Sequence, residues 1–219
     1  MIEYLNAIDQ NLLLAINGMH CHFLDSFMWL MSGAWAYLVV ALGFLYLAYR
    51  KGWKRMLLIL LALALTITLA DQLSSGVIKP LVQRLRPTHD AEIGGLIHLV
   101  KGYRAGMYGF VSSHAANSFG AAVLVALLFR HRILVAVIML WATIVSYSRM
   151  YMGVHYPGDI VCGAMIGVVS AYIVYRLFTI ASKKWALSTK FSMNDSKFLS
   201  IAIIANVSVL LIVASAFDI

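Results

Sequence analysis

The sequence predicts an all-α, polytopic membrane protein with six transmembrane helices and an N-terminal interfacial helix. Of its 219 residues, 62% are hydrophobic and only 12% are charged, whereas a soluble domain has about 25% charged residues. Because about 20 apolar residues cross a bilayer, a chain of this length has room for roughly six such helices and little else. We therefore expect residues 1–219 to form a single membrane domain.

Six apolar segments are long enough, or nearly long enough, to be these helices. The predicted crossings are residues 27–49, 57–78, 113–129, 133–151, 160–175 and 198–217. Between the second and third crossings, residues 79–112 form a polar segment with two of the three prolines, which predicts one long loop. Apolar residues at helical spacing in residues 2–16 predict an N-terminal helix, which either lies in the membrane interface or packs as an ordinary terminal helix.

The distribution of Lys and Arg predicts the orientation of the chain, because short cytosolic connections are rich in both. Three connections on one side are basic, with Arg50, Lys51, Lys54 and Arg55, then Arg130 and Arg132, then Arg176, Lys183, Lys184, Lys190 and Lys197. We therefore expect the outer side of the membrane to contain both termini, residues 79–112 and residues 152–158. The net charge of +8 is explained by these loops and by an anionic substrate, so no nucleic-acid partner is expected.

The predicted outer face breaks this bias, since it also contains Lys79, Arg84, Arg86, Lys101, Arg104 and Arg149. Charged groups at membrane depth are costly, so such a cluster indicates an anionic partner. Arginine offers a planar fork to phosphate oxygens and lysine a point charge, so Lys79, Arg86 and Arg149 could hold a phosphoryl group. Two histidines nearby could supply a nucleophile and a proton donor.

Three short motifs contain these residues, and their spacing resembles the signature of the type 2 phosphatidic acid phosphatase superfamily. The family pattern is K-x6-R-P, then P-S-G-H, then S-R-x5-H-x3-D. Lys79 is separated by six residues from Arg86, Arg149 is followed by five residues and His155, and three more precede Asp159. With Ser112 and His114 between them, the motifs cover about 80 residues, and the helix layout resembles the bacterial membrane branch over nearly the whole chain.

The resemblance implies a lipid phosphate phosphatase of the bacterial inner membrane, with its active site on the periplasmic face. It implies that His155 is the nucleophile and forms a phosphohistidine, that Asp159 orients it, and that His114 is the general acid. The remaining matched residues would bind the substrate phosphate: Lys79, Arg86, Ser112 and Arg149. No metal and no other cofactor is implied.

The sequence departs from the family at the second motif, where Val111-Ser112-Ser113-His114 replaces P-S-G-H. If the family glycine needs a positive φ, Ser113 would be strained. If the glycine only brings a backbone N–H close to phosphate, Ser113 can still bind phosphate in this way, and we favour this second interpretation. Ser112 or Ser113 would also suit the N-cap of the third crossing, whose free N–H groups would then face the anion.

The substrate and the fate of the phosphate stay open at this point. The resemblance admits lipid A phosphates, undecaprenyl diphosphate, phosphatidylglycerophosphate and phosphatidic acid, and residues 112–119 with the basic outer loop favour the first two. A phosphotransferase, a non-catalytic anionic-lipid transporter or binding protein, and a vanadate-dependent haloperoxidase are the alternatives. Arg84, Lys101 and Arg104 could bind a second phosphate or a sugar, or be solvated loop charges. The sequence does not indicate an oligomeric state.

Overall fold

The computed structural model describes residues 2–185 and 191–216, and within these ranges the regular structure is helical. The α-helices are α1 (Ile2–Gly18), α2 (His22–Ser32), α3 (Trp35–Arg50), α4 (Trp53–Asp71), α5 (Lys79–Val82), α6 (Ser113–Phe129), α7 (Arg132–Tyr151), α8 (Pro157–Lys184) and α9 (Met193–Ala216). A π-helix, Gln72–Ile78, joins α4 to α5. Three short 3-10 turns, Pro87–His89, Gly94–Leu96 and Val100–Gly102, precede α6.

Among the described residues, four helical segments are long and apolar enough to cross a membrane: Trp53–Val82, Arg132–Tyr151, Pro157–Lys184 and Met193–Ala216. The pair α2 and α3 passes the same criterion as one span bent by 43°. Helix α6 has 17 residues and is about 25 Å long at a rise of 1.5 Å per residue, slightly short of a hydrocarbon core of about 30 Å. The chain is thus a multi-pass membrane protein with four or five candidate spans, and the predicted sixth depends on α6.

The predicted first crossing, residues 27–49, was expected to be one helix, but the structure divides it. Helix α2 ends at Ser32 and Gly33 adopts an extended conformation, with φ −92° and ψ −177°. Helix α3 begins at Trp35, two residues after Gly33, and its axis is inclined by 43° to the axis of α2. The prediction of one continuous helix was wrong because the uncharged run was treated as a single segment, although the dipeptide Ser32-Gly33 is of a type that often marks a turn.

The second crossing extends beyond residue 78, so Lys79 lies in a helical turn and not in a loop as predicted. In an α-helix the ring of Pro80 would clash with the carbonyl group four residues earlier. The wider π-helix accommodates this proline, and the N–H of Lys79 donates to the carbonyl of Ser74. Lys79 therefore has a defined position at the end of a membrane helix.

The last two crossings also differ in their bounds. Helix α8 has 28 residues, so Arg176, Lys183 and Lys184, which were predicted in a loop, are helical. Helix α9 begins at Met193, five residues before the predicted start. The predicted end at Phe217 and the loop residue Lys190 lie outside the described residues.

Small residues bring α6 and α8 into close contact. A Cβ atom at Gly163 would lie 2.4 Å from the carbonyl oxygen of Ser112, and one at Gly167 would lie 2.2 Å from that of Ala116. Such contacts between small residues are typical of membrane helix pairs, because they let two backbones approach closely. They fix the start of α6 against the second and third turns of α8. We call the end of the bundle where α6 and α8 begin and α7 ends the site end.

Helix α1 packs against the site end. Its Leu13 is fully buried with Ile93 and Ile97 from the segment before α6 and with Tyr156 at the start of α8. Leu5 and Leu12 remain largely exposed. The packed face agrees with an ordinary terminal helix, and a position in the membrane interface stays a prediction.

Candidate active site

His155 and Asp159 form a buried pair across the start of α8. The Nδ1 atom of His155 lies 3.2 Å from Oδ2 of Asp159, and the two side chains are 1% and 0% exposed. Tyr156 is the N-cap of α8, and its backbone N–H donates to the same Asp159 oxygen at 3.1 Å. Because Pro157 begins the helix, His155 precedes the helix while Asp159 lies in its first turn. The carboxylate is therefore held by the cap and accepts from the imidazole.

The hydrogen bonds of His155 fix its tautomer. Nη1 of Arg86 lies 2.8 Å from Nε2 of His155, and a guanidinium can only donate. Nε2 is therefore the acceptor, so Nδ1 has the proton and donates it to Asp159. Burial, together with the cations of Arg86, Arg149 and Lys79, lowers the pKa of His155 well below its usual value. At neutral pH the imidazole is uncharged, with a lone pair on Nε2.

Arg84 and Arg86 reach this pair from one extended segment. The N–H of Arg86 donates to the carbonyl of Met107 at 2.9 Å, and that of Gly109 donates to the carbonyl of Arg84 at 2.8 Å. Leu85 and Tyr108 form an antiparallel bridge between the two segments. Alternate residues of an extended chain face the same side, so both arginines point towards His155 and Asp159.

Two buried guanidinium groups keep an unpaired nitrogen at the site. Burial and the charge of Arg149 lower the pKa of Arg86 to about 10, so Arg86 remains cationic at neutral pH. Arg149 donates to the hydroxyl of Ser32 and lies over the ring of Tyr103, 5.8 Å from its centre. The Nε atoms of Arg86 and Arg149 are buried and have no hydrogen-bond partner among the residues that the structure describes. A buried donor without a partner is costly, so these nitrogens fit an anionic ligand.

Lys79 and His114 complete the cluster. Lys79, in α5, interacts electrostatically with Arg86, Arg149 and Asp159. His114, in the first turn of α6, interacts in the same way with His155 and with the three cations. The structure therefore brings all three sequence motifs to one place at the site end.

Ser112 is the N-cap of α6, as predicted for one of the two serines. Its Oγ accepts from the N–H of Ala115 at 3.4 Å, and its own N–H donates to the carbonyl of Asp159 at 3.0 Å. Ser113 is the first residue of α6 and has helical backbone angles, so the residue that replaces the family glycine needs no positive φ. The N–H groups of the first turn begin at Ser113 and lie beside His114.

A cavity of about 390 Å³ opens beside His114 and Arg149, between the bend of α2 and α3 and the loop at Tyr103. Aromatic and apolar side chains form much of its wall, including Trp29, Trp35 and Met152. His155 is not part of this wall, so the cavity adjoins the pair from the side of His114. A group bonded to a phosphate at His155 could extend into it.

Three residues of the site were missed from the sequence. Arg84 was expected to bind a head group or to be solvated, but its Nη1 lies 3.0 Å from Oδ1 of Asp159 and 2.8 Å from Oδ2 of Asp9. Gly109 is packed so closely that a Cβ atom would lie 3.0 Å from Oδ2 of Asp159. The position of Arg84 two residues before Arg86 was a usable signal, whereas nothing in the sequence connects Asp9 with Asp159.

The fold and these contacts define a helical membrane protein with a buried, cationic, histidine-based site. Residues 55–183 match the model of the PAP2 superfamily, and the chain belongs to this superfamily. The resemblance inferred from the three motifs is thereby confirmed.

Two relatives and one solved structure are similar over most of the chain. The chain is 45% identical over 177 residues to a lipid A 4'-phosphatase of Bacteroides thetaiotaomicron, covering 80% of this chain and 79% of the relative. It is 35% identical over 185 residues to a lipid A 4'-phosphatase of Porphyromonas gingivalis, covering 84% and 78%. A PAP2-type phosphatidylglycerolphosphate phosphatase of Bacillus subtilis superposes with a TM-score of 0.58 at 20% identity, covering 80% of this chain and 86% of that one. At this identity the last similarity concerns the fold alone.

Proposed function

We propose that the protein is a lipid phosphate phosphatase that acts through a phosphohistidine on His155. The observation that supports this most directly is the orientation of the imidazole, whose Nδ1–H is directed to Asp159 at 3.2 Å and whose Nε2 lone pair meets Arg86 at 2.8 Å. A neutral imidazole with a fixed tautomer is a prepared nucleophile. Because Arg86 occupies this lone pair, its guanidinium must move onto a phosphate oxygen when the substrate binds, which frees Nε2 to attack phosphorus.

The reaction then proceeds in two displacements. Nε2 of His155 attacks phosphorus, the N–P bond forms, and the bond from phosphorus to the leaving oxygen breaks as His114 donates a proton to that oxygen. Water then attacks the phosphohistidine, gives its proton to His114, and the N–P bond breaks. Inorganic phosphate leaves and both histidines return to their starting states.

The cationic groups around His155 are proposed to hold the phosphoryl oxygens. Arg86 and Arg149 each have a buried Nε without a partner, and Lys79 adds a third positive charge nearby. The Ser112 hydroxyl and the N–H of Ser113 lie at the start of α6, where a helix favours an anion. Together these groups would stabilise the charge of the transition state. No metal ion is needed for either displacement.

We infer that the substrate is a lipid A phosphate monoester. Two relatives that bear this activity in their names are 45% and 35% identical over most of their length. The cavity of about 390 Å³ on the His114 side is the place for the leaving group, and Trp29, Trp35 and Tyr103 give it aromatic walls. Such walls suit the broad face of a sugar better than a flexible glycerol.

The proposed setting is the bacterial inner membrane, with one domain over residues 1–219, six crossings and the site end on the periplasmic side. Helix α6 would be the short sixth crossing. The opposite end of the bundle, where Lys51, Lys54, Arg55, Arg130 and Arg132 lie, agrees with a cytosolic face.

The test is phosphate release by purified wild-type protein and His155→Ala, with EDTA present throughout. The panel is lipid A with a 4'-phosphate, undecaprenyl diphosphate, phosphatidylglycerophosphate and phosphatidic acid. We expect wild type to release phosphate from lipid A, with His155→Ala inactive on all four lipids. Release by a folded His155→Ala protein, or loss of wild-type activity in EDTA, would contradict the mechanism. Transfer of the phosphate to another lipid would instead identify a phosphotransferase.

A further inference from the structure

Arg84 connects the catalytic carboxylate with the N-terminal helix. Its Nη1 lies 3.0 Å from Oδ1 of Asp159, the oxygen that does not face His155, and 2.8 Å from Oδ2 of Asp9 in α1. Its Nη2 donates to Oδ1 of Asn6, also in α1, at 3.3 Å. One guanidinium therefore bridges the first turn of α8 and the middle of α1.

The ring of Tyr156 also restricts the side chain of Arg84. Its guanidinium lies over the ring of Tyr156, 4.1 Å from the ring centre, and the Tyr156 hydroxyl donates to Asp90 at 2.8 Å. The stacked ring and the two carboxylates leave this planar cation little freedom to turn. Arg84 thus differs from Arg86 and Arg149, which keep an unpaired nitrogen for a ligand.

Helix α1 also touches α8 directly through Asp9. The backbone N–H of Gly158 donates to Oδ1 of Asp9 at 2.8 Å, and a Cβ atom at Gly158 would lie 2.6 Å from Oδ2 of Asp9. Asp9 is therefore a carboxylate placed at the start of α8, where the helix dipole favours it. The match to the superfamily begins at residue 55, so these contacts come from a helix outside the family domain.

We propose that Arg84 is a positioning residue for the pair His155 and Asp159, and that α1 holds Arg84 in place through Asp9. The proposal rests on the proposed function. One carboxylate oxygen of Asp159 contacts Arg84 and the other accepts a hydrogen bond from His155. Because both oxygens are held, Asp159 orients the imidazole towards the phosphate. Activity should then depend on the docking of α1, although no residue of α1 touches the substrate.

The charges facing this pair come from several elements. Lys79, Arg86, Arg149 and His114 surround it together with Arg84. Removal of Arg84 takes one positive charge away, so His155 accepts a proton more readily and the acidic limb of the kcat profile moves to higher pH. A loss of packing alone would not move this limb.

The experiment compares Arg84→Gln, Arg84→Lys and Asp9→Asn in the full-length protein on the lipid cleaved by wild type, with kcat and KM measured across pH. Arg130→Gln is the matched control, because Arg130 is an exposed arginine that donates to Tyr175 far from the site. Thermal unfolding in detergent gives the folded fraction. We expect Arg84→Gln to lower kcat by roughly tenfold to a hundredfold, the size expected for a misplaced reacting group.

In the same variant KM should stay within about twofold, since Arg84 does not touch substrate. Arg84→Lys should recover much of kcat and the pH profile, and Asp9→Asn should lower kcat by only a few-fold because Arg84 keeps its contact with Asp159. An Arg84→Gln protein with wild-type kcat and pH profile would overturn the proposal, as would a raised KM at unchanged kcat. A fall in kcat that only follows the folded fraction would also overturn it. If wild type releases no phosphate from any lipid, the proposed function fails and this inference with it.

Discussion

The two ends of the helical bundle use the same types of residue in different ways. At the end opposite the site, Lys51 after α3 pairs with Asp195 in α9 at 2.7 Å. Asp195 also accepts the N–H of Ser192 at 2.8 Å, and its own N–H donates to the Ser192 hydroxyl. At the site end, Arg86 and Arg149 are only 8% and 4% exposed, and the Nε atom of each has no hydrogen-bond partner among the described residues. The pair of Lys51 and Asp195 joins two helices, whereas the unsatisfied nitrogens of Arg86 and Arg149 indicate a ligand at the site end.

The largest effect that separates the two ends is expected for His114→Ala. Removal of the general acid should lower kcat on the lipid by about a hundredfold to ten-thousandfold. On p-nitrophenyl phosphate, whose leaving group needs no proton, the rate of the first displacement should fall much less, although steady-state turnover still falls because hydrolysis loses its base. His131→Ala, at the opposite end, is the matched control and should leave both rates unchanged. Equal losses in the rate of the first displacement on both substrates would contradict the role of His114 as the general acid.

Arg149→Lys should show that the site end needs the guanidinium fork and not only a positive charge. Lysine offers a point charge without the planar fork of parallel donors that fits phosphate oxygens, so kcat should fall by about a hundredfold. Arg132→Lys, an exposed residue at the other end of α7, is the control. Full activity of Arg149→Lys would show that Arg149 supplies charge alone.

Gly167→Leu should test the close packing of α6 against α8. A side chain here would meet the backbone of Ala116 at the contact of α6 with α8, and forced overpacking costs about 1–3 kcal/mol or more. We expect a lower melting temperature in detergent. Activity should also fall, because His114 lies in α6 and Asp159 lies in α8. Gly95→Ala, with no neighbouring atom within 4 Å, should be neutral. An unchanged melting temperature for Gly167→Leu would contradict the close packing.

The smallest effect is expected for Lys51→Gln at the opposite end. The ion pair with Asp195 is partly exposed, and such pairs contribute up to about 1 kcal/mol. Stability should fall slightly while kcat and KM remain at wild-type values. A large change in kcat would mean that the two ends are not independent.

Much of the site was predictable because it is encoded as residue types at fixed spacing. The three motifs end at helix termini on one face, and the cap at Ser112 follows from a serine before an apolar run. The bend at Gly33 was missed because hydropathy does not report backbone direction, and the usable signal was the dipeptide Ser32-Gly33. The pair of Arg84 with Asp9 was also hidden, because it depends on how α1 docks against α8, and tertiary contacts between distant segments leave no local pattern.

The most direct test of the central claim, that His155 is the nucleophile at the site end, uses His114→Ala with p-nitrophenyl phosphate. Formation of the phosphohistidine stays fast with this leaving group, while its hydrolysis slows without the base. We predict a burst of about one p-nitrophenol per protein, with phosphate bound to the quenched protein. The double variant with His155→Ala should show neither signal. A burst or protein-bound phosphate in that double variant would contradict the account.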